Sequence, residues 1–334
     1  MEQQRPQRLG PLRCPRSQER VAWRHDSPAT SLDPLPDGSA VTAAAADPAL
    51  RVFDWPLPPE RPRVGSVLLV HGFGEHLDRY ADVAASLNDL GLHVRGYDAR
   101  GHGRSPGPRG VIRDPSALLE DLARMFERLS FDAAKAGDEA PPFVLAHSLG
   151  ALLAARAATS GTIAPRGLIL SAPPFAVSLP LYRRLGVAVG LRLFPDRAVP
   201  NGQPERAISH DPDAVARALA DPLVHDRITL RLVRFVQDTA DQTIRDAPHL
   251  RTPTLLLVAG ADRHVNPAGA QAFFDALPAG TGTLCWYDEL YHELFQEREP
   301  DRTRVLADMR SWLEGQLAQT ASGFPDSEGR SYRV

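Results

Sequence analysis

The stretch "FVLAHSLGA", Phe143 to Ala151, runs an apolar, strand-like segment straight into a histidine, a serine and a glycine. A short apolar run of this kind reads as a strand buried on both faces. A histidine and a serine at its end are unusual for a core. A serine held on the tight turn between a strand and a helix pushes its hydroxyl clear of the backbone, and small neighbours let the turn close. The G-x-S-x-G pattern of such a turn appears here as Ala146-His147-Ser148-Leu149-Gly150, with alanine in the first glycine position. An ordinary Ser-Leu-Gly turn fits the same five residues, so Ser148 reads as a nucleophile only if the rest of the chain supplies its partners.

Working outward, strand-like and helix-like segments alternate. "SVLLV" (66–70), "HVRGYD" (93–98), "GLILSAP" (167–173), "TPTLLLVAG" (252–260) and "GTLCWY" (282–287) read as strands. Between them lie helical patterns at 78–90, 116–136, 149–160, 267–277 and 301–319. This order predicts an α/β fold, a mostly parallel sheet with helices on both faces. Segments before Pro56 are candidates for an antiparallel edge. From Pro173 to His249 only helical patterns appear, including "LPLYRRLGVAVGLRLF" and "DPDAVARALADPLV". An insertion of that size between two sheet strands reads as a helical cap over the carboxyl ends of the strands, where open α/β sheets bind ligands. The expected organisation is an N-terminal tail at 1–36, core at 37–172, cap at 173–249, core at 250–319 and a C-terminal tail at 320–334.

Composition narrows the function classes. The 334 residues carry a formal net charge of −3 with Lys135 as the only lysine, which gives no footprint for nucleic acid. Two cysteines, Cys14 and Cys285, imply no disulfide framework and fit a reducing compartment. No apolar run reaches the ~18 residues needed to span a bilayer, and the arginine-rich start lacks a signal-peptide core, so a cytoplasmic protein is expected.

A serine hydroxyl needs a general base and a carboxylate to orient it. Asp262 follows the strand 252–260 and His292 follows the strand 282–287, giving the chain order Ser, Asp, His. His264 shares a loop with Asp262, His249 lies before its strand, and His147 reads as a packed neighbour. Asp288 is the rival carboxylate but stands too close to His292 in sequence. Leu149 N–H and, from "VLLVHGFGEH", Phe73 N–H are the candidate donors for an oxyanion. A dinucleotide-binding reading of Gly72-Phe73-Gly74 fails at Leu77, and a zincin reading of "HELFQ" fails at Gln296.

Together, "HGFGEHLDRY", "DARGHGRSPGPRG", "AHSLG", "DPDAVARALADPLVH", "GADRHV" and "YHELFQE" resemble the monoacylglycerol lipase and lysophospholipase family of α/β-hydrolases, from about Leu50 to Gln319. The resemblance implies the α/β-hydrolase fold with a helical cap. It matches Ser148 to the nucleophile, Asp262 to the acid, His292 to the base, and Phe73 and Leu149 to the oxyanion hole. It also implies a small-molecule ester of one acyl chain as substrate and no cofactor. Leu181, Leu185, Val189 and Leu193, at helical spacing in the cap, read as acyl-pocket lining, membrane-surface contact or internal packing. Serine aminopeptidase, small-ester esterase, cofactor-free haloperoxidase and acyltransferase chemistry share the same triad. A non-enzymatic ligand-binding module is the reading from a different class.

Overall fold

The computed structural model describes residues 30–31, 49–176 and 190–321. Its centre is an eight-stranded sheet of β1 (Thr30–Ser31), β2 (Val52–Trp55), β3 (Gly65–Val70), β4 (Leu92–Tyr97), β5 (Phe143–His147), β6 (Leu168–Ser171), β9 (Thr254–Ala259) and β10 (Gly282–Tyr287). A separate two-stranded ribbon pairs β7 (Ala198–Pro200) with β8 (Arg227–Thr229). The order across the main sheet is β1-β2-β4-β3-β5-β6-β9-β10, antiparallel at the β1-β2-β4 edge and parallel elsewhere. Within the tail expected at 1–36, Thr30 and Ser31 thus pair with Asp54 and Phe53.

The central strands β3, β5, β6 and β9 are largely apolar because each feeds two layers. In β5, Val144 and Ala146 enter one core while Phe143 and Leu145 enter the other. In β3, Leu68 and Val70 divide from Val67 and Leu69 in the same way. Alternation of side chains along a strand, with both faces covered, removes the polar half of the usual pattern. One layer holds α2 (Ala117–Lys135), α3 (Leu149–Thr159), α5 (Leu230–Asp246) and α6 (Ala268–Ala276); the other holds α1 (Ala81–Asn88) and α7 (Asp301–Ala321). In α2 the buried positions Leu118, Leu122, Phe126, Leu129 and Ala133 recur at three- and four-residue steps, which puts them on one stripe.

Two adjacent parallel strands frame the insertion: the chain leaves the sheet at Ser171 on β6 and returns at Thr254 on β9. Between them α4 (Pro212–Ala220) starts on Asp211, whose side chain accepts from Asp213 N, with Pro212 at the first turn. The ribbon β7–β8 was not legible as strand, since three residues are too few to establish a period of two. Leu181, Leu185 and Val189 lie outside the described residues, and Leu193 is exposed. Helix α5 begins on a Thr229 cap and packs along α3, with Arg156 paired to Asp246 between them. Cys285 is buried on β10 and is disulfide-bonded, against the expectation that the two cysteines imply no disulfide framework; Cys14 lies outside the described residues. No helix among the described residues is long and apolar enough to cross a membrane.

Candidate active site

Ser148 sits between β5 and α3 with φ 49° and ψ −119°. That left-handed backbone costs a non-glycine residue about 1–3 kcal/mol, so the surroundings must impose it. They do so from both sides: Ser148 N donates to Ser171 O of β6 at 2.9 Å, and Ser148 O accepts from Leu152 N as α3 begins. The turn also requires α3 to cross the end of β3 closely. A Cβ on Gly150 would lie 2.5 Å from His71 O and 2.7 Å from Val70 O. Ala146, by contrast, is buried with its methyl in the layer that also holds Leu152, so the core absorbs the one departure from the glycine pattern. Gly150→Ala is therefore expected to destabilise the fold by roughly 1–3 kcal/mol through overpacking and to cut esterase activity with it. A urea-unfolding midpoint equal to that of the wild type would contradict this reading.

The structure brings together three residues that are far apart in sequence. His292 Nε2 lies 2.9 Å from Ser148 Oγ, and His292 Nδ1 lies 2.7 Å from Asp262 Oδ2. The hydroxyl donates to Nε2, and Nδ1–H donates to the carboxylate. Asp262 Oδ1 accepts from His264 N at 2.7 Å and Val265 N at 3.1 Å, so both carboxylate oxygens are committed. Burial alone would lower the His292 pKa, but the Asp262 charge and hydrogen bond, with Glu293 and Glu75, outweigh it and hold the imidazole above its ordinary value. Asp262 answers in the opposite sense: burial raises its pKa, while His292 and the two amides bring it below the usual carboxylate value.

The competing residues fall elsewhere or take other roles. Asp288 and His249 are exposed. His147 is buried, contacts Ser171 Oγ through Nδ1 at 3.1 Å, and is pushed down to about 3 by burial and by His292. The His264 ring stacks on His292 at 5.1 Å between centroids, and burial, with the charge of His292, pushes it down to about 4. Two neighbours that stay neutral leave His292 as the imidazole that takes up a proton.

Residues of "HGFGEHLDRY" shape the loop after β3. His71 Nδ1–H donates to Gly72 O at 2.7 Å, while His71 Nε2 accepts from Ala99 N at 2.9 Å. Gly72 N donates to Glu75 Oε1 at 2.6 Å. A trans peptide sets its C=O and N–H in opposite directions, so holding the Gly72 carbonyl also aims the Phe73 N–H. Gly72 itself leaves no space for a side chain, since a Cβ there would meet Glu75 Oε1 at 2.8 Å and Ser148 Cβ at 3.0 Å. Leu149 is the first residue of α3, where amides have no intrahelical acceptor. Both residues border the cavity that contains Ser148 and His292.

That cavity has a volume of about 440 Å³. Its apolar wall comes from the insertion and α5, with Leu219, Val224, Ile228, Leu232 and Val236. Its polar wall centres on Arg79, which donates to Glu75 Oε2 at 2.9 Å and to both oxygens of Glu293 at 2.9 and 2.6 Å. Tyr80 OH completes the cluster by donating to Glu75 Oε1 at 2.7 Å. The sequence reading missed Glu75, Arg79, Glu293 and the clamp at His71. Their only signal was the density of charged and aromatic residues after "HG", which does not say which partner each will find.

Comparison with known proteins identifies the family and the fold. Residues 61–299 match the family described as "Serine aminopeptidase, S33". A monoacylglycerol lipase of Mycolicibacterium smegmatis is 34% identical over 273 residues, covering 80% of this chain and 93% of that protein. The monoglyceride lipase of Rattus norvegicus is 29% identical over 260 residues, covering 75% and 83%. The crystal structure of the Paleococcus ferrophilus monoacylglycerol lipase superposes with a TM-score of 0.70 at 31% identity, covering 80% of this chain and 99% of that one. The chain thus belongs to the serine aminopeptidase S33 family of α/β-hydrolases, among its monoacylglycerol lipase-like carboxylic ester hydrolases.

Proposed function

We propose that the protein hydrolyses esters of a single acyl chain, with monoacylglycerol as the substrate, through an acyl-enzyme. The observation that carries this reading is the relay from Ser148 through His292 to Asp262, opening into a cavity with an apolar wall. His292 Nε2 takes the hydroxyl proton as Ser148 Oγ attacks the ester carbonyl carbon, and Asp262 stabilises the imidazolium. The oxyanion forms between the Phe73 and Leu149 N–H groups, which are set before the substrate arrives. His292 then gives the proton to the departing alkoxide. Water, deprotonated by the same imidazole, attacks the acyl-enzyme and releases the fatty acid. Contact with a lipid aggregate falls to Leu193, Phe194 and Leu219 of the insertion, all exposed.

Charge in the cavity selects among the headgroups. Glu75, Glu293, Asp221 and Asp226 border it against one guanidinium, Arg79. This excess of negative charge favours an uncharged glycerol over a phosphate. Of these carboxylates, Glu75 and Glu293, the two bound to Arg79, are not available to a substrate ammonium. Long-chain 1-monoacylglycerol is expected to exceed chain-matched lysophosphatidylglycerol by at least about 10-fold in kcat/KM, equivalent to about 1.4 kcal/mol. Equal turnover of the lysophospholipid, or faster cleavage of amino-acid amides than of esters, would overturn the assignment.

A further inference from the structure

We propose that Glu297 is a positioning residue for His292, and that its own position is set by Ser209 and His210 at the start of α4 in the insertion. Glu297 is fully buried in its side chain and has no arginine or lysine partner among its hydrogen bonds. Oε1 accepts from Tyr291 N at 2.8 Å and lies 3.0 Å from His210 Nδ1; Oε2 accepts from His210 N at 2.9 Å. Tyr291 immediately precedes His292, so this carboxylate holds the backbone that presents the imidazole. The same knot closes through other atoms. Glu293 N donates to Ile208 O at 2.8 Å, Ser209 Oγ donates to Gln296 O at 2.8 Å, and the His210 ring stacks on Tyr291 at 3.7 Å between centroids.

A buried carboxylate costs several kcal/mol to desolvate unless hydrogen bonds replace its water. Here the replacements come from both sides of the junction: His210 N, His210 Nδ1 and, at 3.4 Å, Ser209 Oγ from the insertion, and Tyr291 N from the His292 loop. The loop and residues 208–211 therefore behave as one body, and movement of the insertion at that point carries His292 with it. Glu297 does not border the cavity, so its effect reaches the reaction only through the backbone. This inference rests on the reading of His292 as the general base.

The test compares Glu297→Gln, His210→Phe and the double variant, with His292→Ala as reference. Gln keeps the volume and one acceptor oxygen; Phe keeps the stack on Tyr291 but removes the Nδ1–H. A displacement of the base by a fraction of an ångström to 1 Å costs up to about 10²-fold in rate. For Glu297→Gln the expected result is kcat lower by roughly 10- to 100-fold with KM within about 2-fold, and a parallel fall in the fluorophosphonate labelling rate of Ser148. His210→Phe is expected to show a smaller loss, and the double variant no more than Glu297→Gln alone, because both changes break one knot. A lower Tm with unchanged kcat and labelling rate would make Glu297 merely structural and overturn the proposal. If Glu297→Gln does not fold, His210→Phe carries the test, and full kcat in that folded variant also overturns it. Should His292→Ala keep full activity, the underlying assignment of the base fails instead.

Discussion

Ser148→Ala is expected to lower kcat for a monoacylglycerol by roughly 10⁶-fold, the scale at which removal of a triad nucleophile acts in a serine protease. The loss should fall on kcat and kcat/KM together, since the Oγ–carbon bond exists only along the reaction coordinate. Deleting this one buried hydroxyl changes little else. The variant should lose all fluorophosphonate labelling and keep or gain a small amount of stability, because alanine retains the backbone of the turn without the hydroxyl. His292→Ala should cost nearly as much, and the double variant hardly more, since the two side chains act as a unit. The measurement is kcat on purified protein whose folded fraction is known from its unfolding curve. Retention of more than a few per cent of wild-type turnover in Ser148→Ala would remove the serine mechanism altogether.

Asp262→Asn should cost roughly 10⁴-fold in kcat, as a carboxamide in this role does in a protease triad. Its NH₂ group faces Nδ1 where a carboxylate oxygen stood, which favours the wrong imidazole tautomer and leaves Nε2 protonated toward Ser148. The pH profile adds a second signature. Turnover requires His292 neutral, so activity is lost as pH falls through its folded-state pKa. In the wild type that pKa stands above the ordinary histidine value, because Asp262 outweighs burial. Without the carboxylate charge the burial contribution is left less opposed, and the acidic limb should move to lower pH. His147 and His264, pushed down to about 3 and about 4, titrate below that range and do not blur it. An acidic limb unchanged in Asp262→Asn would mean that another group sets the His292 pKa.

Much of the fold could be read along the chain because its rules are local. Apolar runs such as 66–70 and 143–147 mark strands buried on both faces, and the stripe of α2 repeats within its own 19 residues. The meeting of Ser148, Asp262 and His292 was legible for a related reason. Each follows the end of a strand, and parallel strands in one sheet bring those ends to one edge. Ser148 and His292, 144 residues apart, therefore meet as a consequence of strand order. The glycine at 150 and the alanine at 146 are likewise explained by the single crossing of α3 over β3 and the layer beneath it.

The contacts that escaped the sequence reading share a different character. Arg79 and Glu293 are 214 residues apart, and nothing in either segment specifies that a guanidinium will find that carboxylate rather than another. The same holds for Glu297 with His210, for His71 on the Gly72 carbonyl, and for the ribbon β7–β8, whose strands are too short to show a period. Hydrophobic periodicity reports which face of an element is buried, and glycine and proline report where the backbone must turn; both are properties of neighbouring residues. Partner choice among polar groups, the 440 Å³ cavity and the direction of the Phe73 N–H depend on distances between segments remote in sequence, and only the packed tertiary structure sets those distances.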